Sequence, residues 1–342
     1  MKQIFVHHQS KHHAQNSGYS RLLDYCTNYS TVEPQMVWPY AMAKHCAALV
    51  SDAYGIYDTR SVYKELALFK TLSAHKDTDK VVHFLNGERD IRFAVRFGQQ
   101  FERTAFSATF HKPPAVLEQR ISKTAYLERL QGAVCVGENQ VTYIKERFKI
   151  PQVAYIPHGV DAQFFKPDPH KKHERPVLLF VGQHMRDLEA LNYCVPKLAA
   201  QIKDLKVQVV IHKAYAKHIQ AHPNLDVFSG IDDGALLHLY QSATALFLPL
   251  LDSTACNSIL EALACGLPII TTRVGGNMGY LKSVEAILTE AGCYEALITE
   301  TVNLLQSSTR LQRMALSSRA QGEALDWQYV AQDVYKFHKS LL

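Results

Sequence analysis

The chain contains 342 residues, of which 47% are hydrophobic and 20% charged, a composition typical of globular proteins and unlike that of disordered or fibrous chains. Its length predicts two domains. The formal net charge of +5 is small, and no block of like charges indicates a tail that binds nucleic acid, so we expect no nucleic-acid partner.

Cysteine usage and hydropathy indicate the compartment. Seven scattered cysteines without a C-x-x-C pair are typical of reduced thiols. The N-terminus turns polar too early for a signal peptide, and no apolar run is long enough to span a bilayer. We therefore expect a cytoplasmic protein whose contact with a membrane, if any, is peripheral and on the inner face. The seventeen histidines lack the spacing of metal ligands, so we expect neither a metal site nor a cofactor.

The first half of the chain alternates predicted strands with predicted helices, which is typical of a parallel βαβ sheet. After the first strand and a polar loop, Ser17 to Arg21 begins a helical pattern. Gly18 there lets the backbone approach a ligand closely, and an ordinary helix start is the alternative. A later strand ends at His111, which therefore lies at the carboxyl end of that strand. Strands are predicted over residues 3–8, 81–85, 103–111 and 133–136, and helices over 41–75 and 115–131.

The polar, Pro-rich stretch 165–176 is typical of an interdomain linker. It separates a first domain, residues 1–165, from a second, residues 176–325. The C-terminal helix, from about 326 to 342, either follows the second domain or packs back on the first. The second domain begins with a strand that ends at Gly182. Its strands are predicted over 177–181, 207–211, 225–228 and 245–250, and its helices over 187–203, 232–243 and 259–264, with further helices to the end of the chain.

Residues 249–276 form the most informative stretch, a strand followed by a polar loop, a short helix and another strand. Asp252 to Thr254 are residues that cap helix N-termini, and we expect them to begin the helix. Because the loop follows a parallel strand, it lies where open α/β sheets bind ligands. The N–H groups of residues 254–258 suit a phosphate, and Glu261 suits a pair of ribose hydroxyls. The alternative for Glu261 is a solvated helix carboxylate.

Several of these blocks resemble the retaining nucleotide-sugar-dependent glycosyltransferases of family 4 (glycosyl transferases group 1). Residues 156–161 read I-P-H-G-V-D where the family has I-P-N-G-V-D, and residues 260–270 read L-E-A-L-A-C-G-L-P-I-I where it has L-E-A-M-A-C-G-x-P-V-I. The Val274-Gly275-Gly276 block also matches. The resemblance is strong from about residue 133 to 281. It implies a GT-B fold, with two Rossmann-like βαβ domains that face each other across a cleft.

The resemblance also implies roles for residues of the second domain. Glu261 matches the second glutamate of the family's E-x7-E motif, which binds the ribose of the donor nucleotide. The backbone amides of Asn257 and Ser258 would face the donor phosphates. Arg186, after Gly182, is the candidate for the cation that holds the diphosphate in catalysis, although the family usually has Arg next to this glycine. The alternative for Arg186 is an ion pair with a neighbouring carboxylate.

Other roles carry over less directly. His111 lies where the family often carries a histidine that faces the reacting sugar, and a strand-capping residue is the alternative. Gly18 and Arg21 match the family's first loop, near the acceptor and the phosphates. Lys213 is a second candidate cation for the donor, or else a solvated loop lysine. The first glutamate of E-x7-E is replaced by Ser253, with Asp252 adjacent, and this departure concerns the identity of the donor sugar.

The expected function is therefore that of an EC 2.4 hexosyltransferase that moves a sugar from a UDP- or GDP-sugar to a glycan or lipid-linked saccharide with retention. Cell-surface polysaccharide or lipopolysaccharide biosynthesis is the expected setting. The alternatives are a nucleotide-sugar epimerase of GT-B fold and a non-catalytic nucleotide-sugar-binding protein. The loops 9–16, 40–60 and 86–103 are expected to form the acceptor site. Basic and aromatic residues of the last loop suit an anionic membrane or glycan, or else the solvated face of a helix: Arg89, Arg92, Phe93, Arg96 and Phe97.

Overall fold

The computed structural model describes residues 1–7, 16–50, 57–98, 100–171 and 175–342 of the chain. The chain divides into two compact α/β units. Unit 1 contains the described residues of Met1–His12, Leu22–His158 and Val330–Leu342, and unit 2 contains those of His13–Arg21 and Gly159–Tyr329.

Unit 1 is built on a six-stranded sheet in the order β2-β1-β3-β4-β5-β6, and every neighbouring pair is parallel. The strands are β1 (Lys2–Val6), β2 (Tyr29–Val32), β3 (Lys80–Phe84), β4 (Thr104–Phe110), β5 (Gly132–Cys135) and β6 (Gln152–Tyr155). The helices are α1 (Tyr40–Val50), α2 (Thr59–Ala74), α3 (Ala94–Gly98), α4 (Pro114–Arg120) and α5 (Val141–Phe148).

Unit 2 repeats this plan, with the parallel order β12-β11-β10-β7-β8-β9. Its strands are β7 (Val177–Val181), β8 (Lys206–Val210), β9 (Leu225–Phe228), β10 (Ala245–Leu248), β11 (Ile269–Thr272) and β12 (Ile287–Thr289). Its helices are α6 (Leu188–Gln201), α7 (Lys213–Ala216), α8 (Asp233–Ser242), α9 (Asn257–Ala264), α10 (Asn277–Leu281), α11 (Tyr294–Leu305) and α12 (Ser308–Ala324), and α13 (Trp327–Ser340) ends the chain.

The central strands are apolar throughout because helices cover both faces of a parallel sheet. All five residues of β7, Val-Leu-Leu-Phe-Val, and all four of β10, Ala-Leu-Phe-Leu, are buried. The two parallel sheets confirm the predicted pair of Rossmann-like α/β domains. Among the described residues, no helix combines the length and the hydrophobicity that crossing a bilayer requires.

Several predicted bounds differ from the structure. The single helix predicted over 115–131 is wrong, since α4 ends at Arg120 and only a 3-10 turn, Leu127–Arg129, follows. Ser122 and Thr124 lie between them, and hydroxyl side chains compete for backbone hydrogen bonds and so disfavour a helix interior. The helix expected after Ser17 is a 3-10 helix, Tyr19–Tyr25. Residues 8–15, 51–56, 99 and 172–174 lie outside the described part of the chain, so the predictions that include them are not compared there.

The last turns of α13 pack on the unit 1 sheet through a buried polar cluster. His338 Nε2 is hydrogen-bonded to His83 Nδ1 at 2.9 Å, and His338 Nδ1 to Gln3 Nε2 at 2.8 Å. The other ring nitrogen of His83 is hydrogen-bonded to Thr109 Oγ1 at 2.8 Å. Both histidines are fully buried, so the cluster joins the end of the chain to β1, β3 and β4.

Candidate functional site

The candidate site lies at the carboxyl edge of the unit 2 sheet, where three loops are joined by backbone hydrogen bonds. The loop after β7 meets the loop after β10, because Asp187 N donates to Pro249 O at 3.0 Å and Leu251 N donates to Met185 O at 2.9 Å. The turn after β11 joins them through Gly276 N, which donates to Ser253 O at 2.7 Å. This edge is where open α/β sheets bind ligands.

Arg186 is held at this edge by hydrogen bonds to uncharged oxygen atoms. Its Nε donates to Val181 O at 2.9 Å, Nη1 to His184 O at 2.8 Å and Nη2 to Ser258 Oγ at 3.0 Å. Neither of the neighbouring carboxylates, Asp187 and Glu189, forms an ion pair with Arg186 in the part of the chain that the structure describes. The Asp187 side chain instead caps α6. The guanidinium is therefore a half-buried cation that is oriented by hydrogen bonds and not neutralised by them.

Gly182 makes room for this arginine. Its φ of +93° lies in the left-handed region, which side chains disfavour, and a Cβ at this position would lie 2.8 Å from Arg186 Nη2. Glycine therefore allows the chain to turn after β7 and the guanidinium to fold back over the strand end.

Helix α9 begins beside Arg186. The expectation that Asp252 to Thr254 cap this helix is wrong, because the helix begins at Asn257 and its N-cap, Cys256, makes no side-chain cap. The 252–254 turn instead packs against Gly275 and Gly276, where a Cβ would collide with the backbone of Ser253 and of Thr254. Ser253 is buried in this packing, and Asp252 Oδ1 accepts a hydrogen bond from Ser253 N at 2.7 Å.

The helix start supplies N–H groups. Asn257 and Ser258 are the first two residues of α9, so their N–H groups have no acceptor within the helix. Together with the positive end of the helix dipole and the Arg186 guanidinium, they form a region that favours an anion.

Glu261 lies one turn further along α9, and its carboxylate is buried with only 4% of the residue exposed. Oε1 accepts a hydrogen bond from Ser17 Oγ at 2.6 Å, and Oε2 accepts one from Tyr240 Oη at 2.8 Å. The alternative of a solvated carboxylate is therefore wrong. Burial raises the pKa of Glu261 to about 7, and the two hydroxyl donors partly oppose this rise.

Residues 16–21 belong to unit 2 and pack beside Glu261. Asn16 Nδ2 donates to Asp233 Oδ2 at 3.0 Å, and Gly18 has a φ of +98°. Arg21 forms an ion pair with Asp161 at 2.7 Å. The segment that the sequence assigned to a ligand loop therefore lies at the site, but the charge of Arg21 is balanced by a carboxylate.

Lys213 lies further along the same edge. It is the first residue of α7, shortly after β8, which is the neighbour of β7. The side chain is exposed. Lys213 therefore lies at the same edge of the sheet as Arg186.

His111 lies on unit 1, at the carboxyl end of β4. Its Nε2 donates to Leu85 O at 2.7 Å, which fixes the orientation of the ring. Glu88 Oε1 accepts hydrogen bonds from the N–H groups of His111, at 2.5 Å, and of Lys112, at 2.8 Å. The sequence pattern did not distinguish Glu88 from other turn residues.

Glu88 is also incompletely paired. The residue is 3% exposed, and its Oε2 has no hydrogen-bond partner among the described residues.

The sequence also did not identify Tyr240 and Ser17 as the partners of Glu261, because Tyr240 is one of several apolar residues of a predicted helix. Among the described residues, no group of three His, Cys, Asp or Glu side chains is arranged to hold a metal ion.

Comparison with known proteins gives a family match and a fold match. Residues 175–307 match the family model of glycosyl transferases group 1. One of the subunits of the human phosphatidylinositol N-acetylglucosaminyltransferase is 23% identical over 154 residues, which cover 42% of this chain and 32% of that protein. A GDP-mannose-dependent alpha-mannosyltransferase of Mycolicibacterium smegmatis is 25% identical over 204 residues, which cover 57% and 53%. The match thus spans about a third and about half of the length of these two curated relatives.

The fold itself matches along the whole chain. A sucrose-phosphate synthase from Thermosynechococcus elongatus superposes with a TM-score of 0.72 and 16% identity, covering 100% of this chain and 99% of that one. The structural likeness concerns the fold, and the family match concerns the domain that carries Arg186 and Glu261. Residues 175–307 therefore resemble the glycosyl transferases group 1 family, in a chain whose two α/β units have the GT-B fold.

Proposed function

We propose that the protein is a retaining glycosyltransferase of family 4, which transfers a sugar from a UDP- or GDP-sugar to a glycan or lipid-linked saccharide. Cell-surface polysaccharide biosynthesis, on the cytoplasmic side of the membrane and in peripheral contact with it, is the proposed setting. One observation carries the proposal. An arginine that has no carboxylate partner among the described residues is hydrogen-bonded to the N-terminus of α9, one turn before a buried glutamate that accepts hydroxyl groups.

The diphosphate would be held by Arg186 and the first N–H groups of α9. Negative charge grows on the diphosphate as the anomeric C–O bond breaks, and a preoriented cation with a helix N-terminus stabilises such charge. The planar guanidinium can donate two parallel hydrogen bonds to phosphate oxygens, a geometry that the ammonium group of a lysine does not reproduce. Lys213 would add a second positive charge from the neighbouring strand end. We propose that these groups act without a metal ion.

The ribose of the nucleotide would be held by Glu261. In the structure Oε1 already accepts a hydrogen bond from a hydroxyl group, that of Ser17, at 2.6 Å. A ribose hydroxyl offers the same chemistry, and Tyr240 keeps the other carboxylate oxygen fixed. Ser253 and Asp252, in place of the first glutamate of the family motif, would contact the donor sugar.

His111 would orient the reacting sugar or the acceptor. Its Nε2 donates to Leu85 O, which fixes the orientation of the ring, and the imidazole would form a hydrogen bond with a sugar hydroxyl. Gly18 would let the first loop approach the phosphates closely. In a retaining transfer the acceptor hydroxyl attacks on the face from which the diphosphate leaves.

The proposal is tested by titrating UDP, GDP and their sugars into the protein by calorimetry. We expect one nucleotide to bind, and Glu261→Ala to weaken it by about 1–3 kcal/mol, the usual cost of losing a buried hydrogen-bond partner. Glu189→Ala, at an exposed helix carboxylate of the same unit, is the matched control and should bind normally. Equal binding by the Glu261 variant would refute the ribose assignment.

Measuring turnover of the donor distinguishes the transferase from the epimerase and the binding protein. Release of the nucleoside diphosphate only when an acceptor glycan is added supports a transferase. Conversion of the donor sugar without acceptor points to an epimerase, and tight nucleotide binding without either reaction points to a binding protein.

A further inference from the structure

The hydroxyl group of Ser17 occupies the carboxylate oxygen that the proposed function assigns to the ribose. Ser17 Oγ donates to Glu261 Oε1 at 2.6 Å and accepts a hydrogen bond from Asn257 Nδ2 at 3.3 Å. One hydroxyl group thus lies between a carboxylate and an amide, as the donor to the first and the acceptor from the second. A ribose hydroxyl can donate and accept in the same way, so it fits the same two groups.

Both oxygens of the Glu261 carboxylate are already hydrogen-bonded to hydroxyl groups of the protein. Oε2 accepts from Tyr240 Oη at 2.8 Å, and Glu261 itself is 4% exposed. Tyr240 is fully buried, with its ring centroid 6.0 Å from that of Phe165. Ser17 is only half-buried. Of the two hydroxyl groups, that of Ser17 is therefore the one that a ligand arriving from solvent can replace.

The contact has a physical reason in the protein without nucleotide. A buried carboxylate that lacks a hydrogen-bond donor costs free energy, and the Ser17 hydroxyl supplies such a donor to Glu261. The same contact works against the donor substrate. A nucleotide that enters the site exchanges one hydroxyl group for another at Glu261, and its apparent affinity is reduced by the fraction of molecules in which the carboxylate is open.

The backbone around Ser17 is built so that this residue can move while the following helix stays in place. Gly18 has a φ of +98°, a conformation that side chains disfavour, and it allows a change of direction directly after Ser17. Beyond it, Tyr19 is 7% exposed and begins the 3-10 helix. On the other side, Asn16 N and Nδ2 donate to Asp233 Oδ2 at 2.8 and 3.0 Å. Ser17 thus lies between a glycine and a residue that is held by hydrogen bonds alone.

We infer that Ser17 takes the place of a ribose hydroxyl while no donor is bound, and that the donor displaces it from Glu261 and Asn257. This inference rests on the ribose assignment in the proposed function and adds two points to it. The Ser17 hydroxyl lowers the affinity for the donor. The side-chain amide of Asn257 acts with Glu261 to select nucleotides that carry the displacing hydroxyl over their deoxy analogues. All three residues belong to unit 2.

The competition is tested by calorimetry with UDP and GDP. We expect Ser17→Ala to bind the nucleotide about tenfold more tightly than wild type or better, because a hydrogen bond to a charged group is then lost from the nucleotide-free form alone. Ser20→Ala, at a half-buried serine of the following 3-10 helix, is the matched control and should bind as wild type does. Binding by Ser17→Ala that is weaker than or equal to that of the control would overturn the inference.

The pH of this titration matters. The pKa of Glu261 is about 7, and the Ser17 hydroxyl is one of the groups that lower it. Loss of that hydroxyl should therefore raise the pKa further. Measuring at about pH 8.5 favours the ionised carboxylate in both proteins, so that the comparison concerns the hydroxyl group and not the charge of Glu261.

Deoxy nucleotides distinguish displacement of Ser17 from a general loosening of the site. Of the 2′-deoxy and 3′-deoxy forms of the same diphosphate, the one that lacks the displacing hydroxyl should bind wild type and Ser17→Ala equally, because it leaves the serine in place. In the Ser17→Ala protein, Asn257→Ala should reduce the preference for the ribonucleotide over that deoxy form by about threefold or more. An equal gain in affinity for every form of the nucleotide would contradict displacement.

The outcomes also separate this inference from the proposed function. If wild type and Ser17→Ala both bind no nucleotide, the donor assignment fails and the inference fails with it. If both proteins bind and Glu261→Ala weakens binding, but Ser17→Ala does not strengthen it, the donor assignment stands and displacement alone is refuted. Equal melting temperatures of wild type and the variants without nucleotide would exclude unfolding as the cause of a change in affinity.

Discussion

Arg186 and Ser258 share one backbone acceptor. Arg186 Nε and Ser258 Oγ both donate to Val181 O, at 2.9 and 3.1 Å, and Arg186 Nη2 donates to Ser258 Oγ at 3.0 Å. This closed set of hydrogen bonds joins the end of β7 to the first turn of α9. The cation is therefore oriented at the helix N-terminus before any ligand arrives, which reduces the entropy lost on binding an anion.

Replacing this arginine should weaken binding of the diphosphate and leave the nucleoside contacts intact. We expect Arg186→Lys to weaken UDP or GDP binding by about 1–3 kcal/mol, because an ammonium group cannot reproduce the planar fork. The matching nucleoside without phosphates should bind both proteins equally. Calorimetry on the pair of ligands checks this, and an equal loss for nucleoside and nucleotide would show that the substitution merely disturbs the fold.

Nucleotide affinity should depend on pH through Glu261. Burial raises the pKa of Glu261 to about 7, so the carboxylate is largely protonated below that pH. A carboxylate accepts a hydrogen bond from a ribose hydroxyl more strongly than a carboxyl group does, so affinity should fall as the pH is lowered from 8 to 6. Binding of the parent nucleoside, which lacks titrating phosphates, isolates the effect. Glu261→Gln should remove the pH dependence, and a wild-type profile that stays flat contradicts the assignment.

The buried histidine pair should make unit 1 sensitive to acid. Burial lowers the pKa of His338 to about 3, and burial together with the neighbouring histidines lowers that of His83 well below 6.5. Both rings are neutral when folded, whereas the unfolded chain takes up protons below about pH 6.5. This stability is therefore complete above that pH and is lost as the pH falls below it, towards 3 in the case of His338, by up to about 1.4 kcal/mol per pH unit for a histidine that stays neutral in the folded state.

The measurement is the melting temperature between pH 8 and pH 4.5. His338→Gln keeps a polar side chain at the same position and should remove part of the decline. A variant that declines as steeply as wild type would indicate that other groups cause the acid sensitivity.

The packing of the 252–254 turn against the β11–α10 turn should depend on Gly276. A Cβ at Gly276 would collide with the Thr254 carbonyl group, so Gly276→Ala should destabilise the protein by about 1–3 kcal/mol. Gly234→Ala is the control, because a Cβ there meets nothing closer than an Asp232 oxygen at 3.4 Å, and alanine favours a helix. Urea denaturation distinguishes the two, and equal stability of both variants would contradict the close approach.

Local patterns in the sequence predicted much of the fold. Central strands such as β5, β7 and β10 are short apolar runs that lead into glycine, proline or polar residues, so strand, loop and helix can be recognised without knowledge of the partners. Edge strand β2 and the three-residue strand β12 were not predicted, because so few residues carry no clear periodicity. The predicted helix cap at Asp252 was wrong because residues that suit an N-cap can instead form a turn that packs against another turn, here that of Gly275 and Gly276.

By itself, the sequence determined two parallel α/β domains and the position of Arg186 and Glu261 after buried strands, because these depend on residues close together in the chain. Only the tertiary structure decided that Glu261 is buried between Ser17 and Tyr240, that Arg21 is paired with Asp161, and that the chain end packs on His83. Ser17 and Glu261 are 244 residues apart. Contacts of that separation are selected by the packing of whole sheets and loops, and they leave no periodic signal in the sequence.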